Sequence, residues 1–286
     1  MACEECQAGS VPAEGCLCNG EIKRPGDFCP YGPGGTILLQ NGLNGYNKQI
    51  GAEINAHEQD TTSVGIYQIR YAGSYTTKDL IKFDLSSLSS SEKVESATLS
   101  LYQTFSSGIS EVRMYPLLKN WSQTGVTWNC LNDQNNNGCN DLGEISWETS
   151  GATGNTDRNQ TYSSITMNDT TGIWFNLNVT DAVKSWIEQG RPNYGLLIEE
   201  EGGSYHRFTN GADSAQDLRP KLEIKIKSQN FNYDVNSDSK INIIDLALSI
   251  YWQGKNTTAE PQYSHLDINE DGIVNWDDVL EIIKHI

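Results

Sequence analysis

Nowhere in this 286-residue chain do apolar side chains run together for the roughly 18 positions that a membrane-spanning helix requires. Met1 is followed at once by ACEEC, which lacks the apolar core of a leader peptide, so the chain is read as a mature one. Basic residues are scarce. Twenty Lys and Arg stand against 37 Asp and Glu, and a net charge of −17 repels nucleic acid and anionic lipid, excluding both as partners. Histidine is scarcer still: His57, His206, His265 and His285 lie far apart, none in an HExxH or nucleophile-elbow context. His57–Glu58 and Ser204–His206 read as surface polar residues. Carboxylates are too plentiful for any pair to mark a glycosidase. With no convergent reactive set, the chain is read as non-catalytic, and a polysaccharide-degrading enzyme stands last among its readings.

What is there points outside the cell. Asn, Ser, Thr and Gly are abundant while charged residues make up only 20%, a blend typical of secreted β proteins. N-X-Ser/Thr sequons occur at Asn120, Asn159, Asn168, Asn178 and Asn256, as in exported glycoproteins. Cys3, Cys6, Cys16, Cys18 and Cys29 crowd into residues 1–35, a stretch with no periodicity able to bury a core. Disulfides are predicted to staple it, the close CxC spacing arguing against zinc. Cys130 and Cys139 flank one loop and are predicted to pair. Five cysteines leave one over, either free or bonded to another chain.

From residue 36 the pattern has period two. Strands are predicted at Thr36–Gln40, Val64–Tyr71, Leu80–Leu85, Ser96–Tyr102, Glu111–Leu117, Gly125–Trp128, Ile173–Val179, Tyr194–Glu199, His206–Thr209 and Lys221–Lys227. Many short alternating strands at this spacing predict a mainly β fold, a two-sheet sandwich. One helix interrupts them, with Thr180 as its cap, Val183, Trp186 and Ile187 on its inner face, and Gly190 with Pro192 as its stop. Strand and helix patterning places most of Trp121, Trp128, Trp147, Trp174 and Trp186 in the core.

The blocks LIKFDLSSL (Leu80–Leu88), VESATLSLY (Val94–Tyr102), NWSQTGVTW (Asn120–Trp128), NVTDAVKSWIEQG (Asn178–Gly190), NYGLLIEE (Asn193–Glu200) and RPKLEI (Arg219–Ile224) occur in order. Over residues 36–228 they resemble the DNRLRE domain family, related to the disaggregatase-associated modules. The resemblance implies a jelly-roll β-sandwich of secreted and surface proteins, sometimes a carbohydrate-binding module. It brings no catalytic motif and no fixed sugar contacts.

Three twelve-residue stretches carry oxygen-bearing side chains at the places a calcium loop uses, since a hard cation of this size wants six to eight oxygens. Asp234, Asn236, Asp238, Asn242 and Asp245 fill places one, three, five, nine and twelve of the first. Asp267, Asn269, Asp271, Asn275 and Asp278 fill them in a second copy in the same phase. Asp133, Asn135, Asn137, Asp141 and Glu144 fill them in a third, inserted after Trp128 and bracketed by Cys130 and Cys139. The place-seven carbonyls belong to Lys240, Ile273 and Cys139. Gly272 and Gly138 suit the sharp turn at place six, which Ser239 must take with a Cβ. At place eight, Ile241 and Val274 are predicted to pair the two C-terminal loops. Calcium is the predicted cofactor, two ions in the C-terminal pair and a third in the 133–144 loop.

Each C-terminal loop runs into a short amphipathic stretch, with Leu246 and Ile250 matched by Val279 and Ile283, and neither follows an entering helix. This EF-hand-like half repeated, ending in Asp, resembles the dockerin family over residues 229–286. The resemblance implies a small α-helical module that binds two calcium ions and plugs into a cohesin-like partner. The family's recognition places, ten and eleven, hold Ile243 and Ile244 against Trp276 and Asp277, which do not match between repeats. The join at Ser228–Tyr233 has no Pro/Thr-rich spacer and predicts a stiff connection.

The reading that follows is a non-catalytic, secreted, calcium-binding surface protein. A Cys-rich segment (1–35) and a carbohydrate-binding-module-like sandwich (36–228) are docked by the calcium pair (229–286) to a cohesin-like protein or to copies of itself. Polysaccharide is the ligand the family suggests. The alternative is a structural subunit of a calcium-stabilised extracellular filament with no sugar binding.

Overall fold

The computed structural model describes residues 35–64, 67–88, 92–227, 233–236 and 240–283, together with the backbone of residues 9–10, 16–18, 21–23, 28–29 and 31–32. The predicted stapling of the N-terminal cysteines falls on side chains outside the described residues, as do Asp238, Ser239 and most of the 228–233 join. The chain divides into two compact units, residues 1–227 and 228–286.

The first unit is antiparallel β throughout. Its strands are β1 (Gly9–Ser10), β2 (Cys16–Cys18), β3 (Glu21–Lys23), β4 (Phe28–Cys29), β5 (Tyr31–Gly32), β6 (Thr36–Gln40), β7 (Gln49–Asn55), β8 (Ser63–Val64), β9 (Tyr67–Arg70), β10 (Thr77–Phe83), β11 (Val94–Ser106), β12 (Ser110–Pro116), β13 (Ser163–Met167), β14 (Ile173–Asn178), β15 (Leu196–Glu201), β16 (Tyr205–Phe208) and β17 (Lys221–Ile226). One curled sheet folds over to give two facing halves. The first half runs β8–β7–β10–β15–β12–β13 and the second β14–β11–β17–β6–β5. Strands β9 and β16 join them at a corner: β9 touches β10 through Thr77 and Arg70, and β16 runs along the end of β11.

Alternation along the strands sends side chains to two cores. Leu99, Leu101, Ile224 and Ile37 of one half meet Ile81, Val112, Met114 and Ile198 of the other. The helix α1 (Thr180–Ile187) closes that core with Val183 and Ile187. On the opposite side of the first half, Leu80, Ala52, Ile54, Tyr115 and Leu197 are covered by Trp121, Val126, Leu131, Trp147 and Ala152 from the long irregular segment between β12 and β13. Burial of each such aliphatic side chain contributes about 1.5–3 kcal/mol. A polar knot fastens this cover. Lys78 and Arg158, both buried, hold Glu199 at 2.7 and 2.9 Å, and Lys119 pairs with the buried Asp157 at 2.9 Å.

Four sequence expectations are corrected. Residues 125–128 form turns in the cover, because their apolar side chains fill the second core without a pairing strand. β7 and β13 are additional strands. Thr180 does not cap α1. Its hydroxyl accepts the Ala97 N–H and donates to Asn178, tying the helix start to β11 and β14. Ser204 and His206 are buried, and His206 is held by Gln103 and Ser110 at 2.8 and 2.9 Å, its pKa lowered by desolvation.

The second unit holds α2 (Ile243–Tyr251) and α3 (Trp276–Ile283) around Val235, Leu266, Ile268, Val274 and Ile282. A 3-10 segment, Pro261–Leu266, leads into the second loop. Among the described residues, no helix is long and apolar enough to cross a membrane.

Candidate metal centres

The end of each C-terminal loop is also the start of a helix, and the same two residues serve both. In the first loop the Asn242 side chain accepts the Ile244 N–H at 2.9 Å. Asp245 reaches back to accept the Asn242 N–H at 2.8 Å and the Asn236 N–H at 3.3 Å. That is a capping box built from places nine and twelve. The second loop repeats it. Asp278 accepts the Asn275 N–H at 2.7 Å and the Asn269 N–H at 3.0 Å, and Asn275 accepts the Asp277 N–H at 2.6 Å. At place one, Asp267 takes the N–H groups of Asp271 at 3.1 Å and Gly272 at 2.9 Å. Glu270 and Gly272, at places four and six, adopt φ of 55° and 94°. Asp278 is fully buried; burial pushes its pKa up against three backbone N–H groups, and the charge of Asp267 adds to the rise.

The loop at 133–144 shares part of this backbone, and differs in a left-handed place seven at Cys139 (φ 64°). Asp133 accepts the N–H groups of Asn135, Asn137 and Gly138 at 3.2, 3.2 and 2.8 Å. Places four and six again turn left-handed, at Asn136 (58°) and Gly138 (85°). Glu144 takes the Asp141 N–H at 3.0 Å, as place twelve does in the other loops, and the Gln134 N–H at 2.9 Å, one place earlier than they do. Burial opposes the charge on Asp133, but its backbone donors hold the pKa below the usual carboxylate range. Cys130 and Cys139 are joined, with Cα atoms 5.6 Å apart, so a disulfide pins place seven. Asp60, from the turn after β7, lies where a Cβ on Gly138 would fall, and accepts the Asn129 amide at 3.1 Å. No spacing in the sequence announced Asp60.

In the two loops described throughout, 133–144 and 267–278, the central polar groups converge. Asn269 and Asn275 point amides at one oxygen of Asp271, at 3.2 and 3.0 Å. Asn135 and Asn137 do the same to Asp141. The place-nine amides also reach the carbonyls of Ile273 and Lys240, at 3.2 and 3.4 Å. Half a turn of each amide would present oxygen in place of nitrogen to the same point. An oxygen-only set of this kind suits a hard cation. Among the described residues, no three acidic, His or Cys side chains converge by themselves, because the loops mix carboxylates with amides and carbonyls. The predicted pairing of Ile241 with Val274 is not made. Val274 exchanges hydrogen bonds with Gly254 and Lys255, while Ile241 is exposed.

From the last places of each loop onward, the two helices leave apolar side chains in solvent. Ile243, Ile244 and Tyr251 are exposed on α2, and Trp276, Leu280 and Ile283 on α3. A curled β-sandwich followed by a duplicated loop–helix unit defines a two-module protein. Residues 52–224 match the disaggregatase related repeat domain family, and the chain belongs to that family. Residues 232–286 match the dockerin type I domain, a module of extracellular and cell-surface proteins that binds calcium and docks onto cohesins. No curated protein matches the chain.

Proposed function

We propose that this chain is a non-catalytic adaptor of an extracellular assembly. Its C-terminal unit docks it to a cohesin, and its sandwich presents a carbohydrate-binding surface. One observation carries the reading: loops rich in converging oxygens support two helices whose exposed faces are apolar, at the places where a dockerin meets its partner. Two calcium ions are assigned to the C-terminal pair, held by Asp234, Asn236, Asp238, the Lys240 carbonyl, Asn242 and Asp245, and by Asp267, Asn269, Asp271, the Ile273 carbonyl, Asn275 and Asp278. A third is assigned to Asp133, Asn135, Asn137, the Cys139 carbonyl, Asp141 and Glu144, supported by the left-handed turns it shares with the 267–278 loop. Calcium there neutralises carboxylates that otherwise repel, and fixes the turn from which each helix starts. Calorimetry of the intact chain tests this. Chelation is expected to lower a separate transition belonging to residues 229–286, and Asp234→Ala with Asp267→Ala is expected to abolish both the calcium response and capture by an immobilised cohesin. A melting profile and a capture level untouched by chelation would sink the reading.

The odd number of cysteines supports a second reading, a filament subunit. A sulfur bonded across chains and a docking unit on the same protomer make a head-to-tail contact that does not close.

A further inference from the structure

We propose that the solvent-facing side of β9, β16 and the end of β11 binds an acidic polysaccharide, one bearing uronate or sulfate groups. The assignment rests on the reading of the sandwich as a carbohydrate-binding unit. Here the strands bury Tyr67, Ile69, His206 and Phe208 on one side and turn Arg70, Tyr205, Arg207 and Phe105 to the other. The outward groups form a continuous ladder. His57 stacks on Tyr75 at 4.5 Å, Arg70 lies 5.9 Å from the rings of both Tyr75 and Tyr205, and Tyr205 meets Phe105 at 5.2 Å. Arg207 lies over Tyr205 at 5.4 Å.

Two other arginines are taken up by acids, Arg113 by Glu111 and Glu201 and Arg158 by Glu199, and Arg219 is spent on the carbonyls of Asp213 and Asn41. Among the described residues, no carboxylate is within ion-pair distance of Arg70 or Arg207, although the protein carries 17 net negative charges. Glu53 is near enough to feel Arg207 but is buried. Contact with the tyrosine rings steadies each guanidinium, and Arg207 also donates to the Tyr205 hydroxyl and to Gln68 at 3.4 Å, which leaves their remaining N–H groups for a carboxylate or sulfate. The exposed parts of Tyr75 and Phe105 add apolar surface for the C–H face of a pyranose. Such a polymer carries about one charge per sugar, which two arginines can meet. A nucleic acid carries one about every 1.7 Å of duplex and would be repelled by the acidic body.

The test uses the full chain in calcium, with short oligogalacturonates and their methyl esters, which differ only in the capped carboxylates. Binding is expected for the acid and lost on esterification. It should weaken ~10-fold for each of Arg70→Gln and Arg207→Gln, with an unchanged melting temperature because both point outward. Raising the salt is expected to weaken it further. Equal binding of acid and ester, or full binding in both variants, would overturn the site while leaving sugar binding standing. Loss on Trp186→Ala instead would put the sugar in the groove of about 460 Å³ beside α1 and also overturn it. Equal retention of single-stranded DNA would make the face a nucleic-acid site. Failure of every polysaccharide tried, acidic or neutral, would remove the carbohydrate reading itself.

Discussion

Glu53 on β7 stands directly across from Asp79 on β10, two buried carboxyls on neighbouring strands. Burial pushes Glu53 up to about 7, outweighing its hydrogen bond to Gln68, and burial with the charge of Glu53 raises Asp79. A carboxyl whose folded pKa lies above its unfolded one stabilises the fold below the unfolded value and loses that contribution as pH rises through the folded one. For Glu53 the window runs from the ordinary glutamate range to about 7. Glu53→Gln is therefore expected to raise the melting temperature of the sandwich at about pH 8, with a gain of up to about 3 kcal/mol, and to change it little at about pH 4. Melts of the two proteins at both pH values, in saturating calcium, check it; equal gains at both would refute the ionic origin. Glu53 belongs to a strand that was not predicted from the sequence, although its pattern is present. β7, QIGAEIN, alternates Ile50, Ala52 and Ile54 under the cover with Gln49, Gly51, Glu53 and Asn55 on the other face.

The dockerin loops were the most legible elements, since a hard cation imposes oxygens at fixed places and that spacing survives in the sequence. What spacing could not convey is that places nine and twelve also cap the following helix. Asn242→Ala is therefore expected to weaken α2 with or without calcium, by about 1 kcal/mol, whereas the effect of Asp234→Ala should grow when calcium is present. Helicity of the intact chain by circular dichroism, with and without chelator, separates the two. Equal calcium dependence would mean that the cap contributes nothing of its own. The cover over the first half-sheet was illegible for a related reason. It is held by Trp121, Trp147, the Lys78–Glu199–Arg158 knot and turn hydrogen bonds, none of which leaves a period along the chain. Gly125–Trp128 looked like a strand because its apolar residues are buried, and burial without a partner strand gives the same local pattern.

At the scale of the molecule, the two readings of function part over self-association. If the left-over cysteine bonds between chains and the docking unit accepts a second copy, light scattering should rise with calcium and fall with either chelator or reductant. A monodisperse monomer under all three conditions would leave the cohesin-docked adaptor alone. The order of modules was readable from the sequence because each carries its own signature: six ordered blocks for the sandwich and a duplicated loop for the docking unit. The acidic balance was readable too, but the meeting of two arginines on one face was not. Arg70 and Arg207 are far apart in sequence and meet only because β9 pairs with β16.

Cys139 supplies a sulfur to the disulfide and, from the same residue, the carbonyl at place seven of the 133–144 loop. With calcium in this loop as proposed, oxidation and metal binding are coupled through one residue. Reducing Cys130–Cys139 is therefore expected to weaken calcium binding there, and an affinity unchanged by reductant would uncouple the two.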